Sequence, residues 1–533
     1  MGFSRGGSMR RSSRVVAVLT GFLTLCLWAA GEIAASSPAL GVIMPRGVQR
    51  GTESVLTFSG GQLGDAQEIF FYSPGFEVTK IEAKDANNIA ATVKVAADCR
   101  LGEHVAQVRT KSGISDYRTF YVGALPIVDE KEPNSDFAAP QKIALNVTVH
   151  GVIDNEDVDY FVVDAKKGQR IAVEIEAMRL GMTLCDPYVA ILDAKRFELA
   201  AKDDSPLLLQ DAAATIVAPA DGPYIVQVRD SAYGGNGSCN YRVHIGTFPR
   251  PTGVYPAGGK IGEEIEVRFL GDAAGEFTAK YKLPAAVEED YGLLAAADGV
   301  VAPSENSFRL SEQPNVLEVE PNNAPAQSTS AQLPLAFNGV IGVVGDVDFF
   351  KFTAKKGEVY EIDCFARRLR SPLDSVMYIH NAAGTALVGN DDAKNKDSYF
   401  RFTFPEDGEY LLQVTDHLGR GGPDYVYRVE FTPVKPTLTV QIPRVARYSQ
   451  YRQQIYVPKG NRFATLINVA RSDFGGPIML EPKDLPQGIT MVAQEMPANM
   501  DLMPVVFEAA ADAPLSGKLV DFRARHSDAN TKI

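Results

Sequence analysis

A duplicated acidic-to-aromatic segment limits most strongly what this chain of 533 residues can fold into. The first copy, DNEDVDYFVVDAKKGQ, occupies residues 154–169, and the second, VGDVDFFKFTAKKGE, occupies residues 344–358. Both copies run from acidic residues into an aromatic strand and stop at a Lys-Lys-Gly turn. The match extends outward, because Glu-x-Glu-Pro-Asn at residues 130–134 recurs at residues 318–322. We therefore predict two copies of one domain of about 110–120 residues.

Further matches set the ends of this repeat and reveal a second one. Gly151-Val152-Ile153 recurs as Gly339-Val340-Ile341, and Tyr241-Arg242-Val243 recurs as Tyr427-Arg428-Val429. A fainter repeat aligns six residues, Pro45, Gly47, Gly51, Glu53, Phe58 and Gly60, with Pro256, Gly258, Gly262, Glu264, Phe269 and Gly271. The predicted parts are a signal peptide (1–36), module 1 (37–125), module 2 (126–248), module 3 (249–315), module 4 (316–434) and module 5 (435–533).

Strand patterns dominate these modules. RIAVEIEA at residues 170–177 alternates apolar and charged side chains, as a half-buried strand does, and YLLQVT at residues 410–415 alternates in the same way. Turns such as KKGQ, PADGP and PEDGE follow at short intervals, and no long stretch has a helical period. The predicted fold class is all-β, with each module an antiparallel β-sandwich in a multi-domain chain.

The first 36 residues have the features of a secretory signal. Four arginines, Arg5, Arg10, Arg11 and Arg14, precede an apolar run over residues 15–30, and small residues follow. The run is shorter than the roughly 20 residues of a membrane span, so a membrane anchor is the less favoured alternative. We expect export to the periplasm, the cell surface or the medium, with no transmembrane segment once the signal is removed.

The charge of the mature chain argues against nucleic acid as a partner. Removing the four arginines lowers the formal net charge of −13 by four, and removing Glu32 raises it by one, which leaves −16. A surface this acidic repels phosphate backbones and favours cations. Four cysteines remain, of which only Cys185 and Cys239 share a module, so one disulfide can form between them. Cys99 and Cys364 are expected to be buried thiols.

Modules 2 and 4 resemble a known bacterial family. Glu-Pro-Asn near the start, Asp-x-Asp before two aromatic residues, a Lys-Gly turn, Asp-Asp and a late Gly-x-Tyr strand together resemble the bacterial pre-peptidase C-terminal (PPC) domain. This resemblance implies a jelly-roll-like β-sandwich of the kind found beside the catalytic domains of secreted peptidases, including bacterial collagenases. Modules 1 and 3 resemble Ig-like IPT/TIG domains through Pro-x-Gly-x-x-x-Gly-x-Glu, with module 3 shorter. Module 5 resembles another Ig-like domain. It has no evident closing strand, which would also be expected of a truncated domain.

The resemblance also implies a structural calcium ion in each PPC-like module. Calcium takes six to eight oxygen ligands at about 2.3–2.6 Å, chiefly from carboxylates, amide oxygens and carbonyl groups. In collagenase members of the family the entering linker and the Asp-x-Asp turn bind this ion. Carried over by position, the implied ligands are Glu130, Glu132, Asn134, Asp157 and Asp159 in module 2 and Glu318, Glu320, Asn322, Asp346 and Asp348 in module 4. The simpler alternative is a set of solvated turn residues.

Catalytic motifs are absent from the sequence. It contains no HExxH, GxSxG or Walker motif, and none of the six histidines, His104, His150, His244, His380, His417 and His526, falls in a repeated position. A carbohydrate platform would have to use tyrosine, and Tyr233 with Tyr241 is the candidate pair. We expect no catalytic residues and no cofactor besides calcium.

Three functions are compatible with these features. The first is a non-enzymatic exported protein whose calcium-stiffened modules lie in line and serve adhesion or envelope interaction. The second is the accessory region of a secreted peptidase, and the third is a set of carbohydrate- or collagen-binding modules. The expected partner is an extracellular protein or polysaccharide of unknown identity, and the sequence does not indicate the oligomeric state. All three rest on analogy, because fold alone does not fix function.

Overall fold

The computed structural model describes residues 37–443, 455–518 and 520–531, and the predicted signal peptide lies outside these ranges. Over the described residues the regular structure is β-strand apart from three 3-10 helices of three residues each. None of these helices is long and apolar enough to cross a membrane. The predicted all-β class is confirmed.

Module 1 is a sandwich of two four-stranded sheets. Its strands are β1 (Ala39–Met44), β2 (Gly47–Gln49), β3 (Glu53–Gly61), β4 (Glu68–Phe71), β5 (Phe76–Ala83), β6 (Asn88–Val95), β7 (Gly102–Arg109) and β8 (Arg118–Gly123). The strand orders are β1-β3-β6-β5 and β2-β8-β7-β4. Alternate residues of β3, Leu56 and Phe58, turn into the core and meet Val93 and Phe120.

Module 2 is a sandwich of two five-stranded sheets. Its strands are β9 (Ile127–Asp129), β10 (Gln141–Lys142), β11 (Val147–Val152), β12 (Val158–Ala165), β13 (Arg170–Glu176), β14 (Pro187–Asp193), β15 (Glu198–Lys202), β16 (Ala213–Val217), β17 (Gly222–Asp230) and β18 (Asn240–Gly246), with a 3-10 helix at Met178–Leu180. The strand orders are β10-β12-β17-β14-β15 and β16-β13-β18-β11-β9. Phe161 and Val163 of β12 face Val173 and Ile175 of β13 across the core.

Module 3 is smaller. Its strands are β19 (Gly253–Tyr255), β20 (Gly258–Lys260), β21 (Glu264–Leu270), β22 (Phe277–Lys282), β23 (Gly292–Leu293), β24 (Ala296–Ala297), β25 (Val300–Val301), β26 (Asn306–Ser307) and β27 (Arg309–Ser311). One three-stranded sheet, β19-β21-β22, is accompanied by the pairs β20-β27, β23-β26 and β24-β25. The parallel pair of β20 with β27 repeats that of β2 with β8 in module 1.

Module 4 repeats module 2 strand for strand. Its strands are β28 (Asn315–Leu317), β29 (Thr329–Gln332), β30 (Ala336–Val340), β31 (Val347–Ala354), β32 (Val359–Phe365), β33 (Ser375–Asn381), β34 (Ala386–Asn390), β35 (Tyr399–Thr403), β36 (Gly408–Asp416) and β37 (Val426–Pro433), with 3-10 helices at Pro325–Gln327 and Arg367–Leu369. The orders β29-β31-β36-β33-β34 and β28-β30-β37-β32-β35 are those of module 2 with every strand number raised by nineteen. The internal repeat therefore carries one topology.

Module 5 is a further β-sandwich. Its strands are β38 (Thr437–Gln441), β39 (Arg462–Ser472), β40 (Ile478–Lys483), β41 (Ile489–Val492), β42 (Leu502–Ala509) and β43 (Asp521–His526). The first sheet has the order β38-β39-β42-β41, and β40 pairs with β43 from Ile478↔His526 to Lys483↔Asp521. The tail thus does contribute a closing strand, which its charged sequence, DFRARH, hides from a search for apolar alternation.

The modules do not lie in line. Leu294 and Val301 of module 3 pack against the core of module 1, and the Tyr456 hydroxyl of module 5 donates to the Ile114 carbonyl of module 1 at 3.2 Å. The expectation of a straight string is therefore wrong. Strand patterns report which faces are buried, but not whether another module or a sheet of the same module buries them.

Cys185 and Cys239 of module 2 form a disulfide, which their shared module allows, with Cα atoms 5.6 Å apart. Cys99 and Cys364 are buried thiols.

Candidate metal centres

Three carboxylates of module 2 converge where the chain enters the sandwich. Glu130 directly follows β9, Glu132 lies two residues further, and Asp159 is the second residue of β12. One oxygen from each side chain lies within 4.8 Å of the others. Asp159 is fully buried, whereas Glu132 is exposed, so the group spans from the interior to the surface. The linker and the buried strand thus meet at one point, as the repeat predicts.

Asn134 completes the linker side of this cluster. Its backbone N–H donates to Glu132 Oε2 at 2.9 Å, and its Nδ2 donates to Glu130 Oε1 at 3.1 Å. Its carbonyl accepts the N–H of Tyr160 at 3.1 Å, which ties the linker to β12. Two buried acceptors, Asn134 Oδ1 and Asp159 Oδ1, have no hydrogen-bond donor. Buried oxygens without donors are unusual and call for a ligand or a proton.

A tyrosine that the sequence analysis did not assign to the site joins the two sides. The buried Tyr241 hydroxyl lies 2.6 Å from Glu130 Oε1 and 2.9 Å from Asp159 Oδ2. Gly151 faces Tyr241 across the ladder of β11 and β18, and a Cβ atom at this glycine would lie 2.7 Å from Glu130 Oε2. The recurrence of both Gly-Val-Ile and Tyr-Arg-Val in the sequence was the signal that could have indicated this contact.

Module 4 repeats the arrangement. Oxygens of Glu318, Glu320 and Asp348 lie within 4.8 Å of one another, and Asp348 is fully buried. The Asn322 N–H donates to Glu320 Oε2 at 2.9 Å, and the Tyr427 hydroxyl donates to Asp348 Oδ2. The carbonyl of Asn322 accepts the N–H of Phe349 at 3.1 Å, the counterpart of the Tyr160 bond.

Unpartnered oxygens are more numerous in module 4. Glu318 Oε2, Asn322 Oδ1 and Asp348 Oδ1 are buried and accept no hydrogen bond. The other Glu318 oxygen accepts the N–H of Val340 at 2.9 Å, so the linker is fixed to β30 while one carboxylate oxygen faces the cluster. The donor set is oxygen alone, which is the set that hard cations select.

The first aspartate of each Asp-x-Asp turn stands apart from these clusters. Asp157 Oδ1 accepts the Ser135 hydroxyl and the N–H of Val158, each at 2.9 Å. Asp346 accepts the N–H groups of Gly342 at 2.7 Å and Val347 at 3.1 Å. The carboxylates of Asp157 and Asp346 thus stabilise their own loops, whereas the other eight predicted residues come together in two groups of four.

Neither cluster has a cationic side chain to balance it. Over the described residues, no Lys, Arg or His lies within ion-pair distance of the six clustered carboxylates, Glu130, Glu132, Asp159, Glu318, Glu320 and Asp348. Burial raises the pKa of Asp159 to about 9, with repulsion from Glu130 and Asp157 adding to the shift. Burial and mutual repulsion also raise the pKa values of Glu318 and Asp348.

A buried group of like charges without a counterion is unstable unless a proton or a cation neutralises it. Here a retained proton accounts for one charge of three in each cluster, and it leaves the unpartnered amide oxygens of Asn134 and Asn322 without a donor. A cation bound between the linker and the strand would engage the carboxylate and amide oxygens together. The residues present therefore fit a hard divalent metal ion.

The candidate pair Tyr233 and Tyr241 does not form a platform. Tyr241 is buried against the acid cluster, where its hydroxyl is engaged, so it offers no face to a ligand. Tyr233 is half exposed, and its ring stacks on the guanidinium of Arg229 at 4.3 Å instead of on Tyr241.

The comparison with protein families identifies a known domain within module 4. Residues 346–416, within module 4, match the model of the bacterial pre-peptidase C-terminal domain. The chain carries a PPC domain. The matched residues begin at Asp346 in the acidic turn and end at Asp416, the last residue of β36. The PPC resemblance of module 4 is thereby confirmed, and the acid cluster joins the start of the matched residues to the linker before them.

Similar proteins include two serine proteases and a domain of a collagenase. A probable subtilase-type serine protease of Deinococcus radiodurans is 39% identical over 101 residues, which are 18% of this chain and 14% of that protein's length. The PPC domain of a Bacillus anthracis collagenase is 16% identical and matches over 21% of this chain and 100% of its own, with a TM-score of 0.18. The secreted serine protease VesC of Vibrio cholerae is 10% identical over 38% of this chain and 47% of its own, with a TM-score of 0.14.

Proposed function

We propose that modules 2 and 4 are two PPC domains that each bind one structural calcium ion, within a non-catalytic accessory region of an exported protein. The observation that carries the proposal is the repeated cluster of three carboxylates and one asparagine, with buried oxygens that no donor reaches. The same strand order, the same tyrosine and the same linker contacts in both modules support a common ligand.

The chemistry of the donors selects the ion. Calcium accepts mixed carboxylate and amide oxygens in flexible geometry, whereas structural zinc sites are built from cysteine and histidine. The clusters contain neither of those two residue types. Because the exposed Glu132 and Glu320 open each cluster to solvent, an ion can enter without unfolding of the module. The expected dissociation constant is that of extracellular calcium modules, about 10⁻⁴–10⁻³ M.

The ion would join the entering linker to the sandwich. In module 4, Glu318, Glu320 and Asn322 belong to the linker, and Asp348 belongs to β31. A cation shared by these groups crosslinks two chain segments that are otherwise held by backbone bonds at a few positions. Its role is therefore to stabilise, and no catalytic step is assigned to it.

The relatives favour a setting beside a peptidase over adhesion. The similar protein of Deinococcus radiodurans is a probable subtilase-type protease, and the PPC family takes its name from its place beside peptidases. We infer that this chain supports a secreted peptidase activity carried elsewhere, by another part of the same polypeptide or by another chain. The adhesion hypothesis has no comparable support.

Calorimetric titration of the chain from residue 37 with calcium tests the proposal. The wild type should take up two equivalents, Asp159→Asn and Asp348→Asn one each, and the double variant none. Asp193→Asn, in a turn of module 2 away from the cluster, serves as a matched control and should retain both equivalents. Absence of calcium uptake by the wild type, or two equivalents in the double variant, would refute the proposal.

A further inference from the structure

Two neighbouring residues on one strand connect each candidate metal centre to the Ig-like module that precedes it. On β18, Tyr241 reaches the acid cluster, and the next residue, Arg242, points to the opposite face of the sheet, where module 1 lies. On β37, Tyr427 and Arg428 have the same two positions relative to module 4 and module 3. Successive side chains of a strand point to opposite faces, so each pair reports on both surfaces at once.

Arg242 fills a notch in module 1 that only glycine leaves open. A Cβ atom at Gly47 would collide with the guanidinium, and one at Gly123 would lie 3.1 Å from Arg242 Nη2. The guanidinium carbon lies 5.6 Å from the centre of the Tyr121 ring of module 1, and Nη1 donates to Glu176 of module 2. Arg242 is fully buried, and its ion pair with Glu176 of module 2 balances its charge.

Arg428 repeats this contact with module 3. Its Nη2 donates to the Ser311 hydroxyl of module 3 at 2.9 Å, and its Nε donates to Glu430 of module 4 at 2.8 Å. A Cβ atom at Gly258, the counterpart of Gly47, would lie 2.7 Å from Arg428 Cδ and 2.5 Å from the Arg309 carbonyl oxygen of the paired strand β27. In each case the glycine and the arginine lie in different modules but in one joint, by which we mean the contact between a PPC-like module and the module that precedes it.

Arg428 also holds the linker that carries the metal ligands. Its Nη1 donates to Asn315 Oδ1, and its Nη2 reaches the Gln313 carbonyl at 3.3 Å. Glu318 follows three residues after Asn315, at the end of β28, and its N–H donates to the Asn338 carbonyl at 3.0 Å. Displacing the joint would therefore displace the strand that brings Glu318 to the cluster.

We propose that each metal centre is energetically coupled to the joint with the preceding Ig-like module, through the Tyr-Arg pair and the linker strand. The proposal rests on the calcium binding proposed above. Cation binding fixes the tyrosine and the linker, which holds the arginine in its glycine notch. Because coupling is reciprocal, an intact joint raises the cation affinity by the same factor by which the cation stabilises the joint.

Hydrogen exchange on the chain from residue 37 measures the joint directly. Strands β20 and β27 of module 3 carry no metal ligand, so their exchange rates report docking and not ion contact. Addition of 10 mM calcium, about ten times the upper dissociation constant expected, should slow their exchange several-fold in the wild type. In Arg428→Gln this protection should disappear in β20 and β27, whereas it should persist in β2, where module 1 contacts module 2. Arg242→Gln should give the reverse pattern, so each variant is the control for the other.

A second variant tests the reciprocal effect from the module 3 side. In the Asp159→Asn background, calcium uptake reports module 4 alone. Gly258→Ala in that background should weaken calcium binding, although Gly258 touches none of the proposed ligands. The factor should equal the one by which the variant reduces the calcium-dependent slowing of exchange in β20 and β27. Gly408→Ala, whose Cβ would meet no atom within 4 Å, should leave binding unchanged. If loss of the buried arginine prevents folding of Arg428→Gln, Gly258→Ala takes its place as the test of coupling.

The outcomes separate this inference from the proposed function. Calcium uptake with unchanged exchange in β20 and β27, or full protection in Arg428→Gln, overturns the coupling and leaves calcium binding standing. Absence of uptake by the wild type overturns both. Loss of protection at both joints in either single variant also overturns the coupling, because it would show general unfolding.

Discussion

Gly339 lies opposite Tyr427 in the ladder between β30 and β37, and the space of its missing side chain is occupied by the tyrosine hydroxyl. The same space borders Glu318 Oε2, one of the buried oxygens that accept no hydrogen bond. The glycine is needed here for room and not for its backbone freedom. It allows an aromatic hydroxyl and a carboxylate to approach each other beside the strand.

Substituting this glycine should damage the centre in module 4 alone. Gly339→Ala places a methyl group against Tyr427 and Glu318, so one of the two must leave the cluster. We expect calcium affinity in module 4 to fall at least about tenfold, which corresponds to about 1.4 kcal/mol, while module 2 binds normally. Calorimetric titration in the Asp159→Asn background measures this loss, with Gly408→Ala as the control of equal size. Unchanged affinity would show that the tyrosine does not organise the site.

Calcium should raise the melting temperature of both PPC-like modules. With dissociation constants of about 10⁻⁴–10⁻³ M, 10 mM calcium adds about 1.4–2.7 kcal/mol of stability for each site. Scanning calorimetry in calcium and in chelator should therefore show transitions that differ by several degrees. The Asp159→Asn/Asp348→Asn double variant should melt at one temperature in both conditions. A shift of the same size in the double variant would assign the effect to other sites on this acidic surface.

The sequence predicted which linker residues converge, because a repeat reports residues that two modules need in common. Glu130, Glu132 and Asn134 are separated by one residue each on an extended run, so their register could be read directly from the letters. Asp159 precedes a buried aromatic pair, and its place in the cluster was implied by the resemblance to the PPC family. The eight residues that converge were all among those predicted.

The contact of Tyr241 with the acid cluster was not predicted, although the repeat that contains this tyrosine was evident. A tyrosine within an apolar strand is ordinarily core, and the letters do not show that its hydroxyl lies at the end of the sandwich beside the linker. The contact of Arg242 is harder still to predict from the sequence, because the two glycines that make room for its guanidinium lie in another module. Contacts between elements distant in sequence depend on packing angles that alternation patterns do not encode.

Calcium affinity should increase with pH. Burial raises the pKa of Asp159 to about 9, so without metal the folded module holds a proton that the unfolded chain releases near pH 4. A carboxyl group with a raised pKa contributes stability at low pH, and this contribution is lost as pH rises toward 9. Calcium must displace the proton, which costs less as pH rises.

Titrations between pH 5.5 and 8.5 in two buffers of different ionisation enthalpy measure both effects. The apparent affinity should rise across this range, and the buffer dependence of the heat should show that protons are released on binding. The metal-free protein should lose stability over the same range, and saturating calcium should remove that slope. Affinity that falls with pH would contradict a protonated resting cluster.

Reduction should destabilise module 2 and spare module 4. The Cys185–Cys239 disulfide joins residues 54 apart in the sequence, and chain-entropy arguments give about 4 kcal/mol for a loop of that size. Module 4 has the same strand order with an unpaired Cys364, so it is an internal control within one molecule. We expect a phosphine reductant to lower the melting transition of module 2 only, and the Cys185→Ala/Cys239→Ala variant to melt at that lower temperature with or without reductant.

Because Cys239 lies two residues before Tyr241 at the start of β18, loss of the crosslink should also weaken calcium binding in module 2. Equal loss of stability in both modules would show that the reductant acts elsewhere than on this bond.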